Sequence, residues 1–125
     1  MPPRDGARDA RGPRGQDRRP VVVQRERLGP FLLLRTDDGT TWIRGTLLSS
    51  GGFHRRRAGQ GIPLTRLRQL VRAIERADRA RDGAALDALA AEIGATYPDD
   101  YAACELLADL ARRRSALTRD LPPAA

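Results

Sequence analysis

The 125-residue sequence predicts an α+β fold: an antiparallel sheet of three to four strands, then an amphipathic helix, then two further C-terminal helices. Three observations carry this reading. β-Branched and aromatic residues with turn signals between them fill residues 21–64. From Thr65 to Arg81 the apolar residues recur at three- and four-residue spacing, the signature of one helical face. Ala- and Leu-rich stretches punctuated by Gly94 and Pro98 complete the chain.

Residues 1–20 are almost wholly Pro, Gly, Arg and Asp. Such a segment cannot bury enough apolar surface to offset its ordering entropy, so a disordered basic arm is expected. Val21 to Arg27 opens the strand-rich domain, placed at 21–81, and Gly29-Pro30 breaks the run. Phe31 to Arg35 is the second strand. Asp37-Asp38-Gly39 follows as a hairpin signal, because Asp-Gly tolerates the positive φ of tight turns. Thr40 to Leu48 is the third strand, Ser49 to Gly52 a loop, and Phe53 to Arg57 a short fourth strand. Leu67, Leu70, Val71, Ile74 and Ala77 mark the core face of the first helix, with Thr65 as its N-cap. A helical pair is expected over 82–117 and a flexible tail over 118–125. Its first helix stops at Gly94 and its second opens at Pro98, with Tyr101, Cys104, Leu107 and Ala111 in one apolar stripe that buries the cysteine.

Composition excludes most chemistry. The chain has one histidine (His54), one cysteine (Cys104) and no lysine or asparagine. A metal centre needs several convergent ligands and a triad needs a placed histidine, and neither is provided. A non-catalytic protein is expected, with no cofactor, no metal and no small-molecule substrate. No apolar run approaches the ~20 residues of a membrane span, and the N-terminus lacks a signal-peptide core. The expected location is cytoplasmic, with nucleoid association if the source is bacterial.

Charge is unevenly spread. Residues 1–20 carry six Arg and three acids, residues 21–83 thirteen Arg and six acids, and residues 84–125 four Arg and seven acids. The net charges are +3, +7 and −3. A positive centre beside an acidic C-terminus is the asymmetry expected where one part faces a polyanion.

Strand alternation sharpens this. Successive side chains point to opposite faces. The apolar set Leu32, Leu34, Ile43 and Leu47 is therefore expected beneath the first helix. The opposite face then displays Phe31, Trp42, Arg25, Arg27, Arg35 and Arg44. Aromatic rings with guanidinium groups between them suit unpaired nucleic acid, since bases stack on rings and Arg binds phosphate. Phe53, His54, Arg55, Arg56 and Arg57, flanked by glycines on both sides, form a second candidate contact, a phosphate clamp on a loop or hairpin.

The stretch from Trp42-Ile43-Arg44, through Gly51-Gly52, to Gly59-Gln60-Gly61-Ile62-Pro63-Leu64 and the Leu67–Ile74 repeats resembles the positive cofactor four family of transcriptional coactivators, over residues 21–80. In that family an aromatic-rich strand ends in Ile-Arg, and a glycine-containing hairpin and a Gly-Ile-x-Leu entry lead to a helix. Trp42 stands here where the family usually has Asp, and Gln60 where it has Lys. The resemblance implies a curved four-stranded sheet, homodimerisation through the helix, and single-stranded DNA lying across the sheets. A single-stranded DNA- or RNA-binding homodimer, DNA before RNA, serving transcription, replication or repair, is the functional expectation. A protein–protein adaptor working through the acidic C-terminal helices is the alternative.

Overall fold

The computed structural model describes residues 19–48, 52–57 and 59–120. Most of the expected N-terminal arm, Ser49 to Gly51 of the loop and the last five residues lie outside them. Strands β1 (Val22–Leu28), β2 (Phe31–Thr36), β3 (Thr41–Gly45) and β4 (His54–Arg55) form one antiparallel sheet in the order β1-β2-β3-β4. Helices α1 (Leu64–Arg79), α2 (Gly83–Thr96) and α3 (Tyr101–Asp120) follow. The α+β class read from the sequence is the class observed.

Two tight turns set the register. Gly29-Pro30 joins β1 to β2 with Leu28 opposite Phe31. Gly29 has φ +54, and a Cβ there would press into Val71 of α1, so glycine is needed for both backbone and clearance. At the second turn Gly39 has φ +84, and the Asp38 carboxylate accepts hydrogen bonds from the Thr36 hydroxyl and the Thr40 amide (3.1 Å). The hydroxyl contact, with the amide bond behind it, holds the Asp38 carboxyl below its ordinary pKa.

One face of the sheet is covered. Leu28, Phe31, Leu33 and Ile43 join Leu67, Leu70, Val71, Ile74 and Ala77 of α1 in a core that continues into α2 and α3 through Leu86, Ile93, Leu106 and Leu110. Arg68 pairs with Glu26 across the sheet–helix seam, with a second hydrogen bond of 2.7 Å. That hydrogen bond is the main reason the Glu26 carboxyl sits below its ordinary pKa.

Several local expectations need correction. Thr65 does not cap α1: Pro63 holds that position, its fixed φ pre-set for helix entry, and Thr65 is exposed within the first turn. Gly94 does not stop α2, which runs to Thr96. Pro98 lies in a turn, and Asp100 caps α3 by accepting from the Ala103 amide at 3.0 Å. Helix α3 continues to Asp120, past the expected start of the tail. Its buried line is Ala102, Ala103, Leu106 and Leu110, with Glu105 and Asp109, so Cys104 is exposed. In a helix this rich in Ala and Leu two neighbouring stripes look equally apolar, and the partners on α1 and the sheet select one.

Candidate nucleic-acid interface

On the uncovered side of the sheet, cross-strand pairing draws two rows. Arg25 pairs with Leu34, Leu34 with Trp42, and Trp42 with Arg55, so the first row crosses all four strands. Arg27, Leu32 and Arg44 form the second. Neighbouring strands lie about 4.8 Å apart, so the first row spans roughly 14 Å with an indole between two arginines. Arg25, Arg27, Arg44 and Arg55 are exposed, while Leu32, Leu34 and Trp42 are half-buried. Half-buried Phe53, just before β4, walls a groove of about 530 Å³ whose floor is Leu32 and Leu34 and whose rim carries Arg25 and Arg27.

The sequence reading placed Arg25, Arg27, Trp42 and Arg44 on one face, and they share it. Phe31 and Arg35 do not. Phe31 is 0% exposed, packed on the helix side with Leu28 before it and Gly45 across from it. Arg35 is exposed but pairs with Thr41 and Gln24 on that same helix side. Leu32 and Leu34, expected in the core, take the open face instead, and Leu47 is 41% exposed beyond the end of β3. The physical reason is that β2 is apolar on both faces. The bulkier Phe31 fills the space beneath the helix.

The expected clamp splits up. Arg55 joins the open face. His54 pairs with Ile43 on the other face and stacks on Tyr101 of α3, ring centroids 4.0 Å apart. The Arg56 guanidinium donates to the Ile62 carbonyl, tying β4 to the entry of α1. Arg57 is exposed along a cleft of about 750 Å³ at the sheet end, shared with Arg55, Gln60 and Gly61. Arg25, Arg55 and Arg57 have no acidic partner among the described residues, whereas Arg27 donates to the Gly29 carbonyl at 3.4 Å.

The residues that hold this surface in place lie far away in the chain. Glu105, 0% exposed, accepts from the Leu47 amide (2.6 Å) and the Leu48 amide (3.0 Å). Tyr101 accepts from the Gly45 amide at 3.0 Å. Any Cβ at Gly45 would run into the Glu105 carboxylate, so the small residue is required for this approach. These bonds end β3 earlier than alternation suggests, because α3 takes the amides that a longer strand would have offered to a neighbour. Nothing local in the sequence marks Glu105 for this task. Its Ala- and Leu-rich setting is the only hint that it is buried.

Compared with family models, curated proteins and solved structures, the chain matches none. Its chemistry has to be read from its own side chains. No cluster of three metal-ligating residues occurs among the described residues, and no helix there is long and apolar enough to cross a membrane. The acids of the C-terminal helices are largely spent inside the molecule. Asp87 pairs with Arg114, Glu92 with Arg66, and buried Asp109 with Arg112 and Arg113, the latter also reaching Asp78 at 2.6 Å.

Proposed function

We propose that the chain is a non-catalytic single-stranded nucleic-acid-binding protein, DNA before RNA, that works through the open face of its sheet. The observation that carries this is the four-strand row Arg25–Leu34–Trp42–Arg55, set opposite the helix-covered core. A base lying on Trp42 or against Phe53 gains about 1–3 kcal/mol of stacking, and the arginines on either side meet the phosphates. Duplex bases are already stacked on one another, so the face favours unpaired strands. The Trp42 indole N–H adds to this. It is shielded from solvent with no acceptor among the described residues, which costs about 1–3 kcal/mol. A base carbonyl or phosphate oxygen reached by a small shift of the ring would recover it.

The resemblance to the positive cofactor four family supports the same reading, including service in transcription, replication or repair. The homodimer it implies needs a surface other than the apolar stripe of α1, which is used on the chain's own sheet. The edge of β1, which has no neighbouring strand among the described residues and where Val21 and Val23 are more than half exposed, is the surface a second copy would meet. The adaptor reading has less support, since Asp87, Glu92 and Asp109 of α2 and α3 each pair with an arginine of the same chain.

The test is titration of fluorescent oligonucleotides at several salt concentrations, following quenching of Trp42, the only tryptophan. Arg25, Arg27 and Arg55 neutralising three phosphates give a log–log salt slope of about −2 for a single strand. Equal affinity for duplex and single strand with a flat salt dependence would falsify the reading.

A further inference from the structure

Helix α1 carries a second basic surface that the sheet face does not use. Its core side is Leu67, Leu70, Val71, Ile74 and Ala77. Directly opposite, at alternating four- and three-residue steps, run Thr65, Gln69, Arg72, Arg76 and Arg79, all exposed. At 1.5 Å per residue the three arginines cover about 10 Å of helix, a length over which one nucleic-acid strand carries about three phosphates.

Five of the other arginines on the helices are handled differently, while Arg119 near the end of α3 is likewise without a carboxylate among the described residues. Arg66, Arg68, Arg112, Arg113 and Arg114 each bind a carboxylate. Arg76 and Arg79 bind none among the described residues, and Arg72 feels only the field of Glu26, a carboxylate already held by Arg68. Of the acids in the last turns, Asp78 is drawn away by Arg113, and Glu75, at helical spacing from Arg72 and Arg79, forms no ion pair with either among the described residues. The helix dipole favours cations in the last turn, which accounts for Arg76 and Arg79 there, but not for Arg72 or for the unbroken polar line that Thr65 and Gln69 extend. Like charges along this line also oppose its use against a second copy of itself.

We infer that the outer face of α1, through Arg72, Arg76 and Arg79, binds the phosphate backbone of a second nucleic-acid strand, so that one copy of the chain holds two strands on opposite sides. The inference rests on the single-strand reading of the sheet face. The sheet and a helix of about 10–12 Å diameter separate the two surfaces, so the same phosphates cannot serve both. The helix line lacks aromatic side chains. It therefore grips backbone without reading bases, and the activity that follows is bridging or annealing of strands.

The experiment immobilises a biotinylated oligo-dT, saturates it with the full-length protein, and measures capture of a second, fluorescent oligo-dT that cannot pair with the first. Wild type is expected to capture the second strand. R72Q/R76Q/R79Q is expected to bind the first strand within about twofold of wild type while losing at least tenfold in capture, with a salt slope for capture shallower by about 2. R76E alone, a single exposed reversal, should lose at least threefold and serves if the triple variant melts early. Undiminished capture by these variants overturns the inference, and points to two sheet faces in a dimer. Wild-type binding of the first strand without capture of a second also overturns it. Failure of wild type to bind the first oligo-dT sinks the sheet-face reading instead.

Discussion

The two faces of β2 and β3 are built from nearly the same residues and meet opposite surroundings. Phe31, Leu33 and Ile43 lie at 0–4% exposure beneath α1, whereas Leu32, Leu34 and Trp42, one position along, remain half open among arginines. Hydrophobicity therefore does not distinguish the covered face from the open face here. The neighbours do: Glu26 and Arg68 close one side with a pair of opposite charges, and Arg25, Arg27 and Arg55 leave the other side positive. An apolar floor inside a cationic rim is what the proposed binding of unpaired bases and their phosphates calls for.

The sharpest way to break that contrast is truncation on each face. Phe31→Ala should cost about 3–5 kcal/mol in urea unfolding, as expected for a large buried ring. Leu32→Ala, one residue on, should cost less than about 1 kcal/mol. Equal costs would erase the distinction.

Next in size is the bracing by α3. Glu105→Ala strips the Leu47 and Leu48 amides of their acceptor and should cost about 2–3 kcal/mol. Gly45→Ala should be harmful in wild type and much less so beside Glu105→Ala, because the clash is with that carboxylate. Strict additivity in the double-mutant cycle would show that the two do not touch.

Trp42 separates stability from binding. Trp42→Ala should weaken oligonucleotide affinity by about 1–3 kcal/mol, read by anisotropy of a labelled strand. Trp42→Phe removes the N–H that has no acceptor, so its unfolding free energy should stay within about 0.5 kcal/mol of wild type or rise, while affinity still falls. A Phe variant that binds as tightly as wild type would leave the indole without a role in binding.

The smallest effect is in pH. Arg68 holds the Glu26 carboxyl below its ordinary 4.5, so the pair contributes fully at neutral pH. The contribution is lost as pH falls through the lowered value and Glu26 takes up a proton. Glu26→Gln should flatten this part of the acid limb in a melting series, and an unchanged limb would show that the seam does not depend on the charge.

Much of this was legible in the sequence, and the misses share one cause. Alternation alone groups Arg25 with Arg27 and Trp42 with Arg44, as observed. It cannot orient β2, whose residues are apolar on both sides. The signal that does so is the two-residue Gly29-Pro30 turn, which sets Leu28 against Phe31 and so places Leu32 opposite Arg27 and Leu34 opposite Arg25. Cys104, expected in the core, is exposed and Glu105 is buried beside it, because the acceptor that Leu47 needs lies 58 residues along the chain. Local pattern carries no record of a partner so distant. Arg56 is similar: a clamp and a loop tie look alike until the Ile62 carbonyl is in view.

The reach of Glu105 back to Leu47 has a consequence for how the molecule comes into being. A ribosome synthesises all four strands and α1 before it makes the carboxylate that fastens the end of β3. The nascent sheet must wait, its hairpin unlatched and its arginine-lined face unfinished, until the last helix has emerged and folded back. Closing so long a loop is slow relative to forming the local hairpins, so arrival of α3 sets the moment at which the end of β3 is fastened.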